Sequence, residues 1–365
     1  MQTAAGGRTV VGIEQTDEKA ILNWERFNVG QNTTVRFDQK GGAKPDGTNA
    51  WIALNRINDP SGRPSRIAGQ IEADGAVYLV NRNGIVFGGG SQVNTRTLVA
   101  SSLALSDKQF NLGINNPQVL ANQGNDFPIP QFGEFTALRP EIYGDSGFKP
   151  GSGGTPDRMG GVDRFDPGAA PGGVTVEAGA RLAAASGGKV MLFAPKVRNA
   201  GHIAAPDGQV ILAAGENIFL KTASTQDPNA PRGLDVAASA VPGWAFTGGQ
   251  VLGALGLAQV YSDAHFVDGL RDVVLPEMAA RARSVGYEVV NSGTVQADRG
   301  NITLQAQDVR QSGVLASTSA LNNRNGSILL RAWGLGSHMY ADGVNDLINW
   351  SAGTLTLGEG SISQV

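Results

Sequence analysis

The sequence predicts a parallel β-helix, because a short phrase recurs along it, because the copies are spaced like rungs, and because the composition suits many tight turns. Each copy has two stretches of alternating apolar and polar residues joined by a glycine turn, and the clearest copies are residues 69–80, 181–194, 201–214 and 293–306. Period-2 alternation places the apolar residues on one face of short strands. The glycines then fall at corners, where a positive φ favours glycine.

Aligning the copies gives four sets of equivalent positions. Three are apolar and one is glycine: Ile71, Leu182, Ile203 and Val295; Val77, Val190, Val210 and Ile302; Leu79, Leu192, Leu212 and Leu304; and Gly75, Gly188, Gly208 and Gly300. Leu182 and Ile203 are 21 positions apart. Such a period is too short for a propeller blade, and its lack of helical pattern argues against a leucine-rich horseshoe. Rungs stacked about 4.8 Å apart are the architecture that remains.

Composition narrows the function classes. The chain is 41% hydrophobic but only 6% aromatic and contains 51 glycines, which suits a narrow core of Val, Ile, Leu and Ala. A formal net charge of -3 gives no electrostatic footprint for nucleic acid or an anionic membrane. The absence of cysteine excludes disulfides and Cys-based zinc sites, and His202, His265 and His338 lack zinc-site spacing. We expect no metal and no cofactor.

The chain start and the chain end raise separate expectations. Residues 1–7 lack the basic and apolar regions of a signal peptide, so the protein is either cytosolic or a mature form with an added Met. The apolar stretch over residues 244–260 is short and broken by glycines, so we expect no membrane insertion. Residues 353–358 begin a further rung with no cap after it, which predicts that the chain is a fragment of a longer protein.

We expect one structural domain in five segments. These are residues 1–105, an N-terminal cap and the first rungs; 106–173, a Gly/Pro-rich excursion outside the helix; 174–222, rungs; 223–287, a second excursion; and 288–365, open-ended rungs. Proline and glycine runs such as residues 150–156 cannot sustain a ladder. Within the second excursion, proline at the start and glycine after the end predict a short helix over residues 276–285.

Residues 20–105 resemble the haemagglutination-activity, or secretion, domain of filamentous-haemagglutinin-like exoproteins, which use two-partner secretion. The stretches that carry the resemblance are Ala20–Trp24, Phe27–Gly30, Thr34–Gln39, Leu54–Ile57, Ile67–Gly69, Val77–Gly88 and Leu98–Leu103. The stretch Ala194–Gly201 is similar to the repeats that follow this domain in the family, so the likeness extends over most of the chain.

The resemblance implies a right-handed parallel β-helix, exported through the periplasm to the Gram-negative cell surface by a cognate outer-membrane barrel. It implies that the periplasmic POTRA modules of that transporter bind the domain while it is unfolded. It further implies that the domain then folds first and templates the rest of the exoprotein. The activity of the full protein, as an adhesin, cytolysin or contact-dependent toxin, would lie after Val365. We expect the domain itself to be a monomer.

Two groups of residues are candidate sites. The family's Asn-Pro-Asn-Gly-Ile turn reads Asn81, Arg82, Asn83, Gly84 and Ile85 here, so Arg82 must adopt the turn without the φ restriction of proline. This turn is either a structural β-turn or part of the segment that the secretion partner recognises, and the two roles are compatible. The second group, expected to form a hydrophobic cap over the first rung, consists of Trp24, Phe27 and Phe37.

Two other function classes are known for β-helical proteins. A β-helical polysaccharide lyase or hydrolase needs several acidic or basic residues at equivalent rung positions. The outward positions instead carry mostly Ala, Gln, Thr, Ser and Lys, with isolated Asp207, Asp298 and Asp308, so we expect no enzyme. The alternative is that the domain is itself a carbohydrate- or host-cell-binding adhesin module, with a surface glycan or exopolysaccharide as partner.

Overall fold

The computed structural model describes most of the chain. The described residues are 2–3, 7–46, 48–105, 107–114, 119–120, 129–130, 133–136, 170–222, 233–239, 284–318, 326–332 and 353–365. The helix predicted over residues 276–285 lies outside these ranges except for its last two positions, and the proline-rich run 150–156 lies wholly outside them.

Parallel strands stack on three faces, which confirms the predicted parallel β-helix. The first face contains β2 (Thr9–Glu14), β4 (Thr33–Asp38), β7 (Gln70–Ala73), the first halves of β10 (Gln92–Ser101) and β15 (Arg181–Ala194), β17 (His202–Ala204), β22 (Thr294–Gln296), β25 (Val314–Ala316) and β28 (Ile362–Gln364). The second contains β3 (Lys19–Trp24), β5 (Ile52–Ile57), β8 (Ala76–Asn81), the second halves of β10 and β15, β18 (Gln209–Ala214), β23 (Asn301–Ala306) and β26 (Ser327–Ala332). The third contains β6 (Ser65–Ile67), β9 (Ile85–Phe87), β14 (Val174–Val176), β16 (Lys196–Asn199), β21 (Glu288–Asn291), β24 (Asp308–Gln311) and β27 (Thr354–Leu357). At the start, β1 (Gln2–Thr3) pairs antiparallel with β2.

The aligned apolar sets form continuous stacks inside the helix. Val210 of β18 pairs with Val190 on one side and with Ile302 on the other, and all three side chains are fully buried. The same register joins Leu182 and Ile203 on the first face. The predicted inward positions are therefore confirmed, and they build the narrow core between the three faces.

One rung escaped the repeat alignment. β10 pairs with β7 and β8 on one side and with β15 on the other, so it lies between two copies that the alignment set next to each other. At its corner Arg96 stands in place of glycine, with its N–H donating to the carbonyl of Gly75 (3.0 Å). Because Arg96 replaces the corner glycine, the glycine signal that marks the other rungs is missing here.

The corner glycines are needed for close approach, and the expectation of a positive φ at the aligned positions was wrong. Positive φ occurs one residue earlier in three rungs, at Gly187 (75°), Asp207 (56°) and Arg299 (57°), and not at the glycines that follow them. A Cβ on Gly208 would overlap the carbonyl oxygen of Gly188, and one on Gly300 would overlap that of Gly208. The glycines form a column because the backbones of successive rungs approach so closely at this corner that a Cβ atom would not fit between them.

Gly208→Ala should therefore destabilise the protein, by about 2–3 kcal/mol, because the new methyl group forces neighbouring backbones apart. Gly12→Ala is the matched control, since a Cβ at Gly12 meets nothing within 4 Å. We expect it to leave stability unchanged or raise it by at most about 1 kcal/mol. Equilibrium unfolding in denaturant measures both. Equal stability of the two variants would show that the column tolerates side chains.

The outer side of the second face is apolar and covered, so the expectation of polar outward positions was wrong there. Outward side chains such as Tyr78, Met191, Phe193 and Ile211 are buried in a second cluster outside the helix. Burial raises the pKa of the Tyr78 phenol. The sequence signal was the nearly unbroken apolar run in β8 and β18, which is typical of strands buried on both faces.

Elements from the two excursions supply this cover. They are α1 (Asp107–Leu112) and the strands β13 (Gly133–Thr136) and β20 (Leu234–Ser239), which flank β19 (Asn217–Thr222) in an antiparallel sheet. The first excursion also contains β11 (Val119–Leu120), which pairs antiparallel with β12 (Ile129–Pro130). The chain leaves the parallel stack after Ala214, and β19 pairs antiparallel with β20. The rung segment predicted over residues 174–222 therefore ends earlier than expected. Rings from both layers meet, with Phe135 and Phe193 centroids 5.0 Å apart.

Side-chain amides hold β20 against the helix. The Gln209 amide accepts from the Leu234 N–H (2.9 Å) and donates to the Leu234 carbonyl (3.0 Å). In the amide orientation that satisfies both groups, Gln305 donates to the Val236 carbonyl (2.7 Å) and accepts from the Ala238 N–H (2.6 Å). These two glutamines take the place of a neighbouring strand along this edge of β20.

Candidate functional site: the turn at residues 81–85

The turn between β8 and β9 is a hydrogen-bonded β-turn reinforced by a side chain. The Gly84 N–H donates to the Asn81 carbonyl (2.8 Å), and the Asn83 N–H donates to Asn81 Oδ1 (2.9 Å). Gly84 has a φ of 102°, a left-handed value that favours glycine. The Asn81 side chain thus constrains the turn locally, as an Asx turn does. This explains how Arg82 can occupy the family's proline position.

The turn is also joined to the rung before it. Asn81 Nδ2 donates to Ser65 Oγ (2.9 Å), and the Ser65 N–H donates to the Gly84 carbonyl (3.0 Å). Asn83 Nδ2 donates to the Asp59 carbonyl in the preceding loop (2.7 Å). Sequence analysis did not single out Asp59 or Ser65, because only the stacking of β6 on β9 brings Ser65 opposite Ile85.

The rung after the turn holds it from the other side. The Gly172 N–H donates to the Arg82 carbonyl (2.8 Å), and the Ile85 N–H donates to the Gly173 carbonyl (3.1 Å). A Cβ on Gly84 would crowd the Gly173 oxygen, so glycine is required there for space as well as for φ. The backbone of residues 81–85 is therefore the middle layer of three stacked chain segments.

Side chains of the five residues divide into two kinds. Asn81 and Ile85 are buried, at 1% and 0% exposure, so their side chains contact only other residues of the protein. Arg82 and Asn83 are half-exposed. In the folded protein a partner could therefore reach only Arg82 and Asn83 from this segment.

Charged groups surround the loop below the turn. The Asp59 carboxylate accepts from the Ser61 N–H (2.8 Å) and lies 3.6 Å from the Arg26 guanidinium. Hydrogen bonds from Ser61 hold the pKa of Asp59 below its ordinary value, and the positive charges of Arg26 and Arg63 act in the same direction. The carboxylate is thus ionised at neutral pH and helps to fix the loop that Asn83 contacts.

The three aromatic residues expected to cap the first rung occupy different positions. Trp24 and Phe27 lie together near the start of the helix, with ring centroids 5.4 Å apart, and Trp24 Nε1 donates to Asn55 Oδ1 (2.9 Å). Phe37 is fully buried inside β4, where Ile13 of β2 pairs with it on the outer side. The terminal position expected for Phe37 is therefore taken by β2.

A buried glutamine cluster near this end was missed by sequence analysis. Gln39 is fully buried, its Nε2 donates to Gln15 Oε1 (2.8 Å), and its Oε1 accepts from the Gly75 N–H (2.8 Å). One side chain therefore connects three successive rungs. A glutamine directly after a strand is polar and commonly exposed, so the interior position of Gln39 could not be predicted.

Within the described ranges, no group of three or more His, Cys, Asp or Glu side chains could hold a metal ion. The described helices include none long and apolar enough to span a bilayer.

Parts of this chain are similar to known proteins. Residues 1–127 match the family model described as the TPS secretion domain, where TPS stands for two-partner secretion. Heme/hemopexin-binding protein of Haemophilus influenzae is 33% identical to this chain over 90 residues, and the protein of strain Rd is 34% identical over the same length. The aligned part is 25% of this chain and 9% of each relative, so the chain matches only a small part of their length.

A solved structure is similar over more of the chain. The crystal structure of the HMW1 secretion domain from Haemophilus influenzae aligns with a TM-score of 0.52 at 21% identity, covering 87% of this chain and 59% of that one. At this identity the likeness concerns the fold, and that neighbour is also a β-helix. Residues 1–127 of this β-helix match the TPS secretion domain family, which confirms the resemblance seen in residues 20–105.

Proposed function

We propose that this chain targets a large exported protein to its outer-membrane transporter and starts the folding of that protein at the cell surface. The observation that carries the proposal is the family match over residues 1–127, which contain the turn at residues 81–85. The partner in this proposal is a cognate barrel with periplasmic POTRA modules, and the destination is the Gram-negative cell surface or the medium. The proposal assigns no catalytic step to the domain.

Burial within the turn supports recognition of the chain before it folds. Asn81 and Ile85 are enclosed in the folded protein, so a partner can read the complete segment only in an extended chain. The absence of cysteine supports the same route, because no disulfide can close in an oxidising periplasm and block passage. On this proposal, the transporter binds residues 81–85 first and the β-helix forms afterwards.

The stacking supports the folding role. Each rung presents unpaired strand edges to the rung that follows, and parallel pairing continues in register through β27 and β28. A domain that folds first therefore offers a template for later rungs.

Asn83→Ala tests the role of the turn. The substitution removes the hydrogen bond to the Asp59 carbonyl, so stability should fall by only about 1 kcal/mol. If the segment is read by the transporter, secreted yield should fall several-fold, more than this loss of stability explains. The measurement is secreted yield from cells that co-express the transporter, together with the melting temperature of the purified chain.

Ser327→Ala is the matched control. It also removes one side-chain hydrogen bond, from Ser327 Oγ to Asn301 Oδ1 (2.7 Å), but it lies outside residues 1–127. We expect its secreted yield to equal that of the parent. Normal export of Asn83→Ala would make the turn purely structural and would move recognition elsewhere in residues 20–105. Glycan binding by the purified chain without its transporter would favour the adhesin alternative.

A further inference from the structure

A short motif recurs where the third face turns into the first. It places valine two residues before a polar amide and glycine two residues after it, as Val197–Gly201, Val289–Gly293 and Val309–Gly313. The amides are Asn199, Asn291 and Gln311, and at most 1% of each is exposed. They point into the helix, on the side that otherwise carries apolar residues.

The three amides bond to one another from rung to rung. Asn199 Nδ2 donates to Asn291 Oδ1 (2.7 Å), and Asn291 Nδ2 donates to Gln311 Oε1 (2.7 Å). The outer groups are also satisfied, since Asn199 Oδ1 accepts from the Gly201 N–H (3.1 Å) and Gln311 Nε2 donates to the Gly313 carbonyl (2.9 Å). We call Asn199, Asn291 and Gln311 the amide ladder.

The first step of the ladder crosses a long interruption. Asn291 and Gln311 are 20 positions apart, whereas Asn199 and Asn291 are 92 positions apart. The chain must therefore re-enter the stack at β21 in the correct register after the second excursion. A slip of one residue would turn apolar side chains outward and is strongly disfavoured. A slip of two residues keeps the inward and outward sides and meets no such penalty.

The valines beside the ladder cannot prevent the two-residue slip by themselves, because in the slipped alignment they would still make apolar contacts. The amide ladder can prevent it, because its hydrogen bonds exist in one alignment only. With β21 slipped by two residues, Asn291 would lie opposite Val197 in place of Asn199, and buried amide groups would lose their partners. Unpaired buried amides are costly, whereas a fully apolar column of similar shape is not.

We propose that the amide ladder sets the register in which the chain re-enters the β-helix after the excursion. Val197, Val289 and Val309 supply burial, and Asn199, Asn291 and Gln311 select one alignment among those of equal parity. This role concerns folding of the chain itself and is independent of the proposed secretion partner.

Engineered disulfides can report the register of β21 against β16, because the chain has no cysteine of its own that could form other disulfides. Arg198→Cys with Val290→Cys reports the correct alignment, in which these two outward residues are paired. Lys196→Cys with Val290→Cys reports the slipped one, in which Val290 lies opposite Lys196 and Asn291 opposite Val197. In the correct register the second pair has Cα atoms about 8 Å apart, from the strand spacing and rise, which is too far for a disulfide. Each pair is refolded from denaturant, oxidised and quantified by mass spectrometry.

Replacing the whole ladder with Asn199→Leu, Asn291→Leu and Gln311→Leu should raise the yield of the slipped disulfide about tenfold over the parent ladder. Asn55→Leu is the control, because Asn55 is a buried amide outside the ladder that donates to the Tyr78 carbonyl (3.3 Å). It should leave the slipped yield at background. Unchanged slipped yield in a folded triple variant would overturn the proposal.

A milder variant keeps the test decisive if the triple variant does not fold. Gln311→Leu removes only the end of the ladder. The register of β24 against β21 is then measured with engineered disulfides as before. Val290→Cys with Arg310→Cys reports the correct pairing, and Glu288→Cys with Arg310→Cys reports the slipped one. A several-fold rise of the slipped product supports the proposal, and a yield equal to that of the parent ladder contradicts it.

Discussion

A chain that lacks residues 1–105 should not be exported by its transporter, and secreted yield should fall to background. These residues hold every stretch that resembles the secretion domain itself and most of the segment that matches the TPS family model. Replacing residues 224–286 with a short Gly/Ser linker should leave export largely intact, because this excursion interrupts the rungs and contains none of those stretches.

The linker variant should nevertheless be less stable, since the excised segment includes β20. Leu234 and Val236 are 3% and 2% exposed and belong to the cluster outside the second face, as does Ile211 of β18. Their removal uncovers apolar surface at roughly 25 cal/mol per Å². We expect a melting temperature lower by several degrees and stronger binding of a hydrophobic dye.

Secreted yield, melting temperature and dye fluorescence measured on both variants separate the two roles. Normal export without residues 1–105 would disprove the secretion assignment. Loss of export in the linker variant, with a melting temperature equal to that of the parent, would show that the excursion has a role in export beyond packing.

Val210→Asp should cost about 4 kcal/mol of stability or more, because it places an unpaired carboxylate between Val190 and Ile302 in the core. Denaturant unfolding of the purified chain measures this. Export should be affected much less if the transporter handles an unfolded chain. A loss of export as large as that caused by deleting residues 1–105 would mean that folding is required before passage.

Val290→Asp is the matched control for this substitution. Val290 is half-buried and faces outward on the third face, where Arg198 and Arg310 are its neighbours in adjacent strands. A carboxylate there stays hydrated and meets positive charge, so stability should change by less than about 1 kcal/mol. A similar loss for Val210→Asp and Val290→Asp would contradict the assignment of inward and outward sides.

The interior of the helix could be predicted from the sequence because its signal is local. Alternation and glycine spacing identify Val190, Val210 and Ile302 as equivalent, and parallel stacking then brings equivalent residues together. The rung of β10 was not found because Arg96 occupies its corner and the chain does not turn there on glycine. The repeat alignment depended on the corner glycine, so a rung without that glycine was not recognised.

Features that depend on chain segments far apart in sequence could not be predicted in the same way. The cover over Met191 and Phe193 comes from the excursions, whose own sequences give no sign of where they dock. For the candidate site, the sequence predicted the turn at residues 81–85 but not its bonds to Asp59 and Gly172, which only the stacking of rungs brings within reach.

The rungs differ in length at two of their three corners. Between the first face and the second, residues 39–51 and 317–326 form longer connections than in the other rungs. Between the third face and the first, the chain uses two to four residues at each crossing, as from Asn199 to His202. Between the second face and the third, it departs for long stretches after Ser101, Ala214 and Ala332. Change in the length of related chains should therefore accumulate at these two corners. The corner between the third face and the first should keep a constant length, since one added residue there would displace every hydrogen bond of the rung that follows.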